Sequence, residues 1–205
     1  NSKIQPYFLY IGRHDSHKNL HRVITAFAQL KQQLRNYSDY QLWLAGSSDK
    51  RHTPKLHSQI EELGIQHQVK FLNYVSYEEL PKIINHAIAL VFPSLWEGFG
   101  FPVLEAMACG TPVITGNISA MPEVVGNAAV LINPEQTDLI AEAVEQLYLQ
   151  PDRYQTFRSK GLERAKQFTW EKTAEQMAGI YERVKSNFNT LSRTVESSSM
   201  TTASS

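Results

Sequence analysis

The feature that most constrains the fold of this chain is its rhythm. Short apolar runs alternate with longer segments whose apolar residues recur at helical spacing. Residues 7–11, 42–45, 69–72, 87–92, 112–114 and 128–132 are apolar runs of strand length. Between them, Leu20, Val23, Ile24, Phe27, Leu30 and Leu34 put one apolar face on a helix, and Leu139, Ala143, Val144 and Leu147 do the same over 138–149. Residues 54–63, 101–108 and 170–184 also read as helices, and Pro151 opens one more. Ser76 and Glu79 form a capping box, which predicts a helix from there to about His86. Strands alternating with helices imply a parallel sheet covered on both faces, with right-handed crossovers. The expected fold is therefore α/β, a Rossmann-like doubly wound parallel sheet. Such a sheet takes its ligand outside the carboxyl ends of the strands, which makes suspects of the loops 12–18, 46–53, 73–76 and 93–100.

Composition narrows the partners. Among 205 residues, Lys and Arg number 20 and Asp and Glu number 20. A net charge of zero gives no broad grip on nucleic acid or on an anionic membrane. The single cysteine, Cys109, excludes an intrachain disulfide and fits a reducing, cytoplasmic setting. The longest apolar run, 87–92, is far shorter than the ~18 residues of a spanning helix. The chain starts at Asn1 with no initiator Met and no signal-peptide pattern, so it reads as cut from something longer. Ser and Thr make 11 of the 20 residues from 186 to 205. Composition therefore predicts a disordered tail over 186–205 behind a domain spanning 1–185.

Two of the suspect loops carry chemistry. Gly12-Arg13 to Lys18-Asn19 puts two cations on one loop at a strand end. Arg offers a planar donor fork and Lys a mobile point charge, a pair suited to a diphosphate; two solvated surface cations are the alternative. Neither G-x-x-x-x-G-K-[ST] nor G-x-G-x-x-G occurs at this position. The loop from Pro93 to Gly100 contains Glu97, Gly98, Phe99 and Gly100 and runs into a helix that carries Glu105. Amides near Phe99 to Val103 open that helix and suit phosphate or sugar oxygens. Carboxylates accept hydrogen bonds from vicinal hydroxyls, so the glutamate pair suggests a sugar and phosphate ligand. The spacing alone carries nothing, since Glu163 and Glu171 repeat it, and Glu105 could equally serve the helix dipole. Trp43, inside a strand, reads as core. Trp96 reads as loop packing, with sugar stacking as the alternative. His14, His17 and His21 lack a cysteine or carboxylate at ligand spacing, so no metal site is expected. Cys109 reads as a small residue packed at a helix end.

The run Pro93 to Ile114, with Glu97 and Glu105 as an E-x7-E pair, resembles the signature of the family-4 retaining glycosyltransferases. Tyr10-Ile-Gly12-Arg13 with Lys18-Asn19, the stretch Val69 to Ser76, Met121-Pro-Glu-Val-Val-Gly126 and Phe168-Thr-Trp170 agree with it, so the resemblance covers residues 7–184. It implies one half of the two-domain GT-B architecture, namely the C-terminal, donor-binding domain. It implies that Arg13 and Lys18 hold the donor diphosphate, that Glu105 bonds the ribose and that Glu97 contacts the transferred sugar. Gly98, Phe99 and Gly100 would line the sugar site, and backbone near Val75 would meet the base. Asn73 stands where the family often has glycine, and 46–51 lacks a second glycine common there. The implied partners are a nucleotide-sugar donor, a hydroxyl acceptor on a glycan or lipid-linked glycan, and an N-terminal Rossmann-like domain of the same protein. No metal or other cofactor is implied. GDP-mannose is the first expected donor and UDP-glucose the next, in surface-polysaccharide or glycolipid assembly. A nucleotide-sugar-binding module without transfer and a GT-B epimerase are the rival readings. Membrane contact, if any, would come through the absent domain.

Overall fold

The apolar runs become parallel strands, and those at the middle of the sheet, residues 7–11 and 89–92, bury their side chains on both faces. The computed structural model describes residues 5–33 and 40–201. The strands are β1 (Tyr7–Ile11), β2 (Gln41–Ala45), β3 (Val69–Asn73), β4 (Ala89–Phe92), β5 (Val113–Gly116) and β6 (Val130–Ile132). All pair in parallel in the order β3-β2-β1-β4-β5-β6. That is the doubly wound order, with its switch point between β1 and β4, the two strands paired Phe8 to Ala89 and Leu9 to Leu90.

The helices are α1 (Leu20–Gln33), α2 (Thr53–Glu62), α3 (Leu80–His86), α4 (Phe101–Ala108), α5 (Met121–Val125), α6 (Thr137–Leu149), α7 (Pro151–Ala165) and α8 (Trp170–Thr201). α1 packs against α2 and α6, while α4 packs against α3 and α7, so the helices form two layers about the sheet. The core runs through the switch point, where Phe8, Leu9, Tyr10, Leu90, Val91 and Phe92 are buried. Each fully buried side chain of this size contributes about 1.5–3 kcal/mol. The two loops at the switch point therefore rise from strands buried in the core.

Several expectations shift. The capping residues behave as read, with Ser76 Oγ bonded to the Glu79 amide and carboxylate, but residues 77–79 form a turn and regular helix begins at Leu80. Pro81 sits in the first turn of α3, where its missing N–H costs nothing. α5 is a short helix that no apolar periodicity announced. Leu34 of the proposed α1 face lies outside the described residues.

The chain divides into two units, Asn1–Lys166 and Gln167–Ser205. The second contains α8. The helix continues to Thr201 through the segment that composition marked as disordered. Leu191 and Val195 extend the helical apolar spacing through the Ser/Thr-rich stretch, a pattern that a residue count hides. Residues 202–205 lie outside the described residues. Among the described residues no helix is long and apolar enough to cross a membrane.

Candidate functional site

The loops after β1 and β4 are stitched together at the switch point. The Leu95 amide donates to His17 O at 2.8 Å, and the Asn19 side chain donates to Pro93 O at 3.0 Å and to Pro134 O. Asn19 is fully buried at φ +63, a left-handed conformation that asparagine tolerates better than other residues with a side chain. Its amide thus ties β1's loop to those after β4 and β6. Lys18, one residue earlier, is carried to Glu97, and Nζ lies 2.5 Å from Oε1. The pair is largely shielded, with Lys18 and Glu97 side chains 17% and 12% exposed.

Arg13 takes a different direction. Its Nη2 lies 3.2 Å from Asp49 Oδ2 and its Nε 3.3 Å from Asp15 Oδ1, with the side chain 58% exposed. Asp49 is buried and also accepts from the Arg51 amide at 2.8 Å and from the Arg51 guanidinium. The bonds from Arg51, with a further one from Arg13, hold the Asp49 carboxyl well below the usual carboxylate range. Lys has three donors and Arg five. Each cation therefore keeps donors for an incoming anion while its carboxylate partner fixes its place.

The backbone beneath these side chains is close-packed. The Gly12 amide donates to Ala45 O and the Gly46 amide to Asn73 O, each at 2.8 Å. A Cβ at Gly46 would stand 2.1 Å from Gly12 O, so the loops after β1 and β2 approach as only glycine permits. Asn73 has φ +46, so it keeps the left-handed turn for which the related pattern often uses glycine. Val75 follows it, half-buried, between exposed Tyr74 and Tyr77. β2 and β1 separate β3 from β4. At about 4.8 Å per strand this is some 14 Å, so one ligand touching both loops must extend across the switch point.

Beyond Glu97, a Cβ at Gly98 would meet nothing within 4 Å, and Gly100 has φ +96 and leads into α4. Phe99 is half-buried with its ring 4.9 Å from Phe101. The expected row of free amides is shorter than the sequence suggested. Val103 N donates to Gly100 O at 3.0 Å, closing the first turn, and Pro102 has no N–H. The amides of Gly98, Gly100 and Phe101 donate to no backbone carbonyl among the described residues. Glu105 lies half-buried in α4 and its carboxylate has no hydrogen-bond or ion-pair partner among the described residues. Burial raises its pKa. It is an acceptor with unused capacity beside the glycine-rich turn.

The remaining residues sort by contact. Trp43 stacks on Tyr7 at 3.8 Å between ring centroids and is half-buried. Trp96 is 68% exposed, which corrects the packing expectation: it sits in the loop after the central strand β4, where its ring meets His17 edge-on. Cys109 caps α4, and burial, then Glu105, pushes its thiol up, the reverse of an activated nucleophile. His14 is buried with Nδ1 3.0 Å from Thr53 Oγ1, while Nε2 has no partner among the described residues. No group of three or more metal-ligating side chains gathers among the described residues.

Sequence reasoning placed Lys18 and Glu97, which do meet, and Arg13, which reaches neither of them. It missed Asn19 and Asp49 as the residues that orient these cations. Asp49 carried a signal, since an aspartate two residues before a bonded amide is an Asx turn.

Residues 1–164 match the family described as glycosyl transferases group 1. The chain is 36% identical over 179 residues to O-antigen chain mannosyltransferase B of Escherichia coli, covering 86% of this chain and 46% of that protein. It is 35% identical over 155 residues to O-antigen chain mannosyltransferase RfbU of Salmonella typhimurium, covering 75% and 41%. Its fold is similar to that of sucrose-phosphate synthase from Thermosynechococcus elongatus, with a TM-score of 0.78 and 29% identity, covering 89% of this chain and 46% of that one. The chain thus spans about half the length of the curated relatives it matches.

Proposed function

The chain belongs to the glycosyl transferases group 1 family, and from that premise we propose that it is the donor-binding half of a retaining hexosyltransferase. The observation that carries the proposal is the meeting of Lys18 and Glu97 across the β1/β4 switch point, beside the glycine-rich turn before α4. A doubly wound sheet binds its ligand there.

In this reading Lys18 and Arg13 take the donor diphosphate. As the bond from the sugar to the diphosphate breaks, negative charge grows on the leaving phosphate. Two fixed cations stabilise it without needing a metal ion, and such placed charge is commonly the largest catalytic contribution. Glu97 accepts from hydroxyls of the transferred sugar, while Glu105, which has no hydrogen-bond or ion-pair partner among the described residues, accepts from the ribose. Gly98, Phe99 and Gly100 border the sugar, and the backbone at Val75 meets the base. Mannose from GDP-mannose is the first donor, a choice supported by two relatives named as mannosyltransferases; glucose from UDP-glucose is the next. The acceptor is a hydroxyl on a growing glycan, in line with the O-antigen chains in those names.

A second, N-terminal Rossmann-like domain supplies the acceptor side. Support comes from α8 taken by itself. Trp170, Ala174, Met177, Tyr181, Val184 and Phe188 follow one another at steps of four and three, an apolar stripe that a lone helix cannot bury.

Calorimetry of this chain with GDP-mannose and UDP-glucose, in the presence of EDTA, tests the donor reading. One of the two should bind, and Arg13→Ala should weaken binding by about 1.5–3 kcal/mol. Binding of neither, or only with a divalent ion, overturns the reading. Product NMR on the chain joined to its upstream domain should show retention at the anomeric carbon.

A further inference from the structure

The turn between β5 and α5 holds a residue that neither the family pattern nor the donor reading assigns. Ser119 has φ +59, a left-handed conformation uncommon for serine. Its hydroxyl makes two bonds to a single residue 22 positions earlier. Oγ donates to Glu97 O at 2.7 Å and accepts from Glu97 N at 2.9 Å. One side chain therefore holds both backbone groups of Glu97.

The surrounding loop explains why that hold matters. Residues 93–100 form no helix or strand. Upstream, the loop is fixed by Leu95 N on His17 O and by Ser94 Oγ. Downstream, Gly98 has no packing neighbour at its Cβ position, and Gly100 O accepts from Val103 N and Leu104 N. Trp96, just before Glu97, has an exposed side chain, and its carbonyl accepts from Ser94 Oγ at 3.3 Å. Ser119 thus holds both backbone groups of Glu97 between these anchors, while Lys18 holds its carboxylate. The same turn supports the loop a second time, because a Cβ at Gly100 would fall 2.4 Å from Met121 Cε.

We propose that Ser119 is a positioning residue for sugar binding: its hydroxyl sets the Cα of Glu97, so that the Glu97 carboxylate reaches the transferred hexose. This rests on the assignment of Glu97 to the sugar. A carboxylate can be at the right site and still fail if its backbone wanders by an ångström. The left-handed backbone at Ser119 is a local strain that glycine would relieve, so the retention of a hydroxyl there points to the work the hydroxyl does.

The test uses Ser119→Gly, which suits the observed φ and removes only the hydroxyl, with Ser119→Ala as a second variant. Melting temperature, nucleoside diphosphate affinity and nucleotide-sugar affinity are measured on this chain, with GDP and GDP-mannose or with UDP and UDP-glucose, whichever pair the unaltered chain binds. Ser119→Gly should melt within 2 °C of the unaltered chain or above it, since its backbone strain is relieved. Its nucleoside diphosphate affinity should hold within about twofold, and its nucleotide-sugar affinity should fall about fivefold or more. A smaller fall in nucleotide-sugar affinity, or an equal fall for both ligands, overturns the proposal. Glu97→Gln separates the two ways to fail. If it loses nucleotide-sugar affinity while Ser119→Gly does not, the role of Ser119 alone is wrong. If it loses none, the assignment of Glu97 to the sugar falls and takes the Ser119 proposal with it.

Discussion

Lys18 and Glu97 stand 79 residues apart in the chain and meet with Nζ 2.5 Å from Oε1. Both side chains are mostly shielded from water. A cation proposed for the phosphate and a carboxylate proposed for the sugar are thereby held side by side, as the two sides of the sugar–phosphate bond in the proposed donor would require. The ammonium also lies 5.3 Å from the centroid of the Phe92 ring, at the end of β4, which limits where it can turn.

Removing either partner should leave a poorly hydrated charge. Lys18→Met and Glu97→Gln should each destabilise the fold, and the double variant should lose less than their sum. A coupling of about 0.5–3 kcal/mol is expected from a urea-denaturation double-mutant cycle. Strict additivity would mean that the pair contributes nothing to stability.

Glu105 should trade stability for binding. Its carboxylate is half-buried, raised in pKa by that burial, and unpartnered among the described residues. Glu105→Gln removes a charge that folding has desolvated, so the melting temperature should stay level or rise. Nucleoside diphosphate affinity should fall by about tenfold or more, one charge-assisted hydrogen bond's worth. A drop in stability together with unchanged affinity would make Glu105 a structural residue.

Asn19 combines a left-handed backbone with two buried bonds to Pro93 O and Pro134 O. Asn19→Ala loses both bonds and keeps the unfavourable φ, and should cost about 3 kcal/mol in denaturant unfolding. Asn19→Gly loses the same bonds and relieves the backbone, so it should be the milder of the two. The reverse order would show that the left-handed backbone adds nothing to the cost, and unchanged stability in Asn19→Gly would show that the side-chain bonds are not what holds this junction.

Acid sensitivity should trace to His14. Desolvation, followed by repulsion from His57, lowers its pKa, and its ring is bonded to Thr53. A histidine with a lowered folded-state pKa takes up protons more readily when unfolded. Its share of stability is therefore complete above about pH 6.5 and declines as the pH falls below it. Melting curves from pH 7.5 to 5.5 should slope downward, and His14→Asn should flatten that slope. The residue of the slope belongs to His21, also lowered by burial and by Arg22. An unchanged slope in His14→Asn would place the sensitivity elsewhere.

The sequence alone determined the sheet and its helices, because a parallel strand buried on both faces must be a short apolar run and a covering helix must be amphipathic. It also pointed to the loops proposed to carry the ligand, since Arg13, Lys18 and Glu97 lie in loops that follow β1 and β4, and Glu105 in the helix that the second loop opens. What periodicity could not reach was contact between distant loops. That Lys18 pairs with Glu97 while Arg13 turns to Asp49 depends on β1 lying between β2 and β4, a matter of sheet order. Ser119 and Asn19 were hidden for the same reason, because their partners are remote in the chain and their left-handed backbones leave no trace in composition. The far end of α8 lay outside the periodicity reading for the opposite reason, since serine and threonine counts obscured a helical spacing that was present in the sequence throughout. Local patterns record which side chains a chain must bury. Only the tertiary structure decides which polar groups, brought together at the strand ends, complete one another.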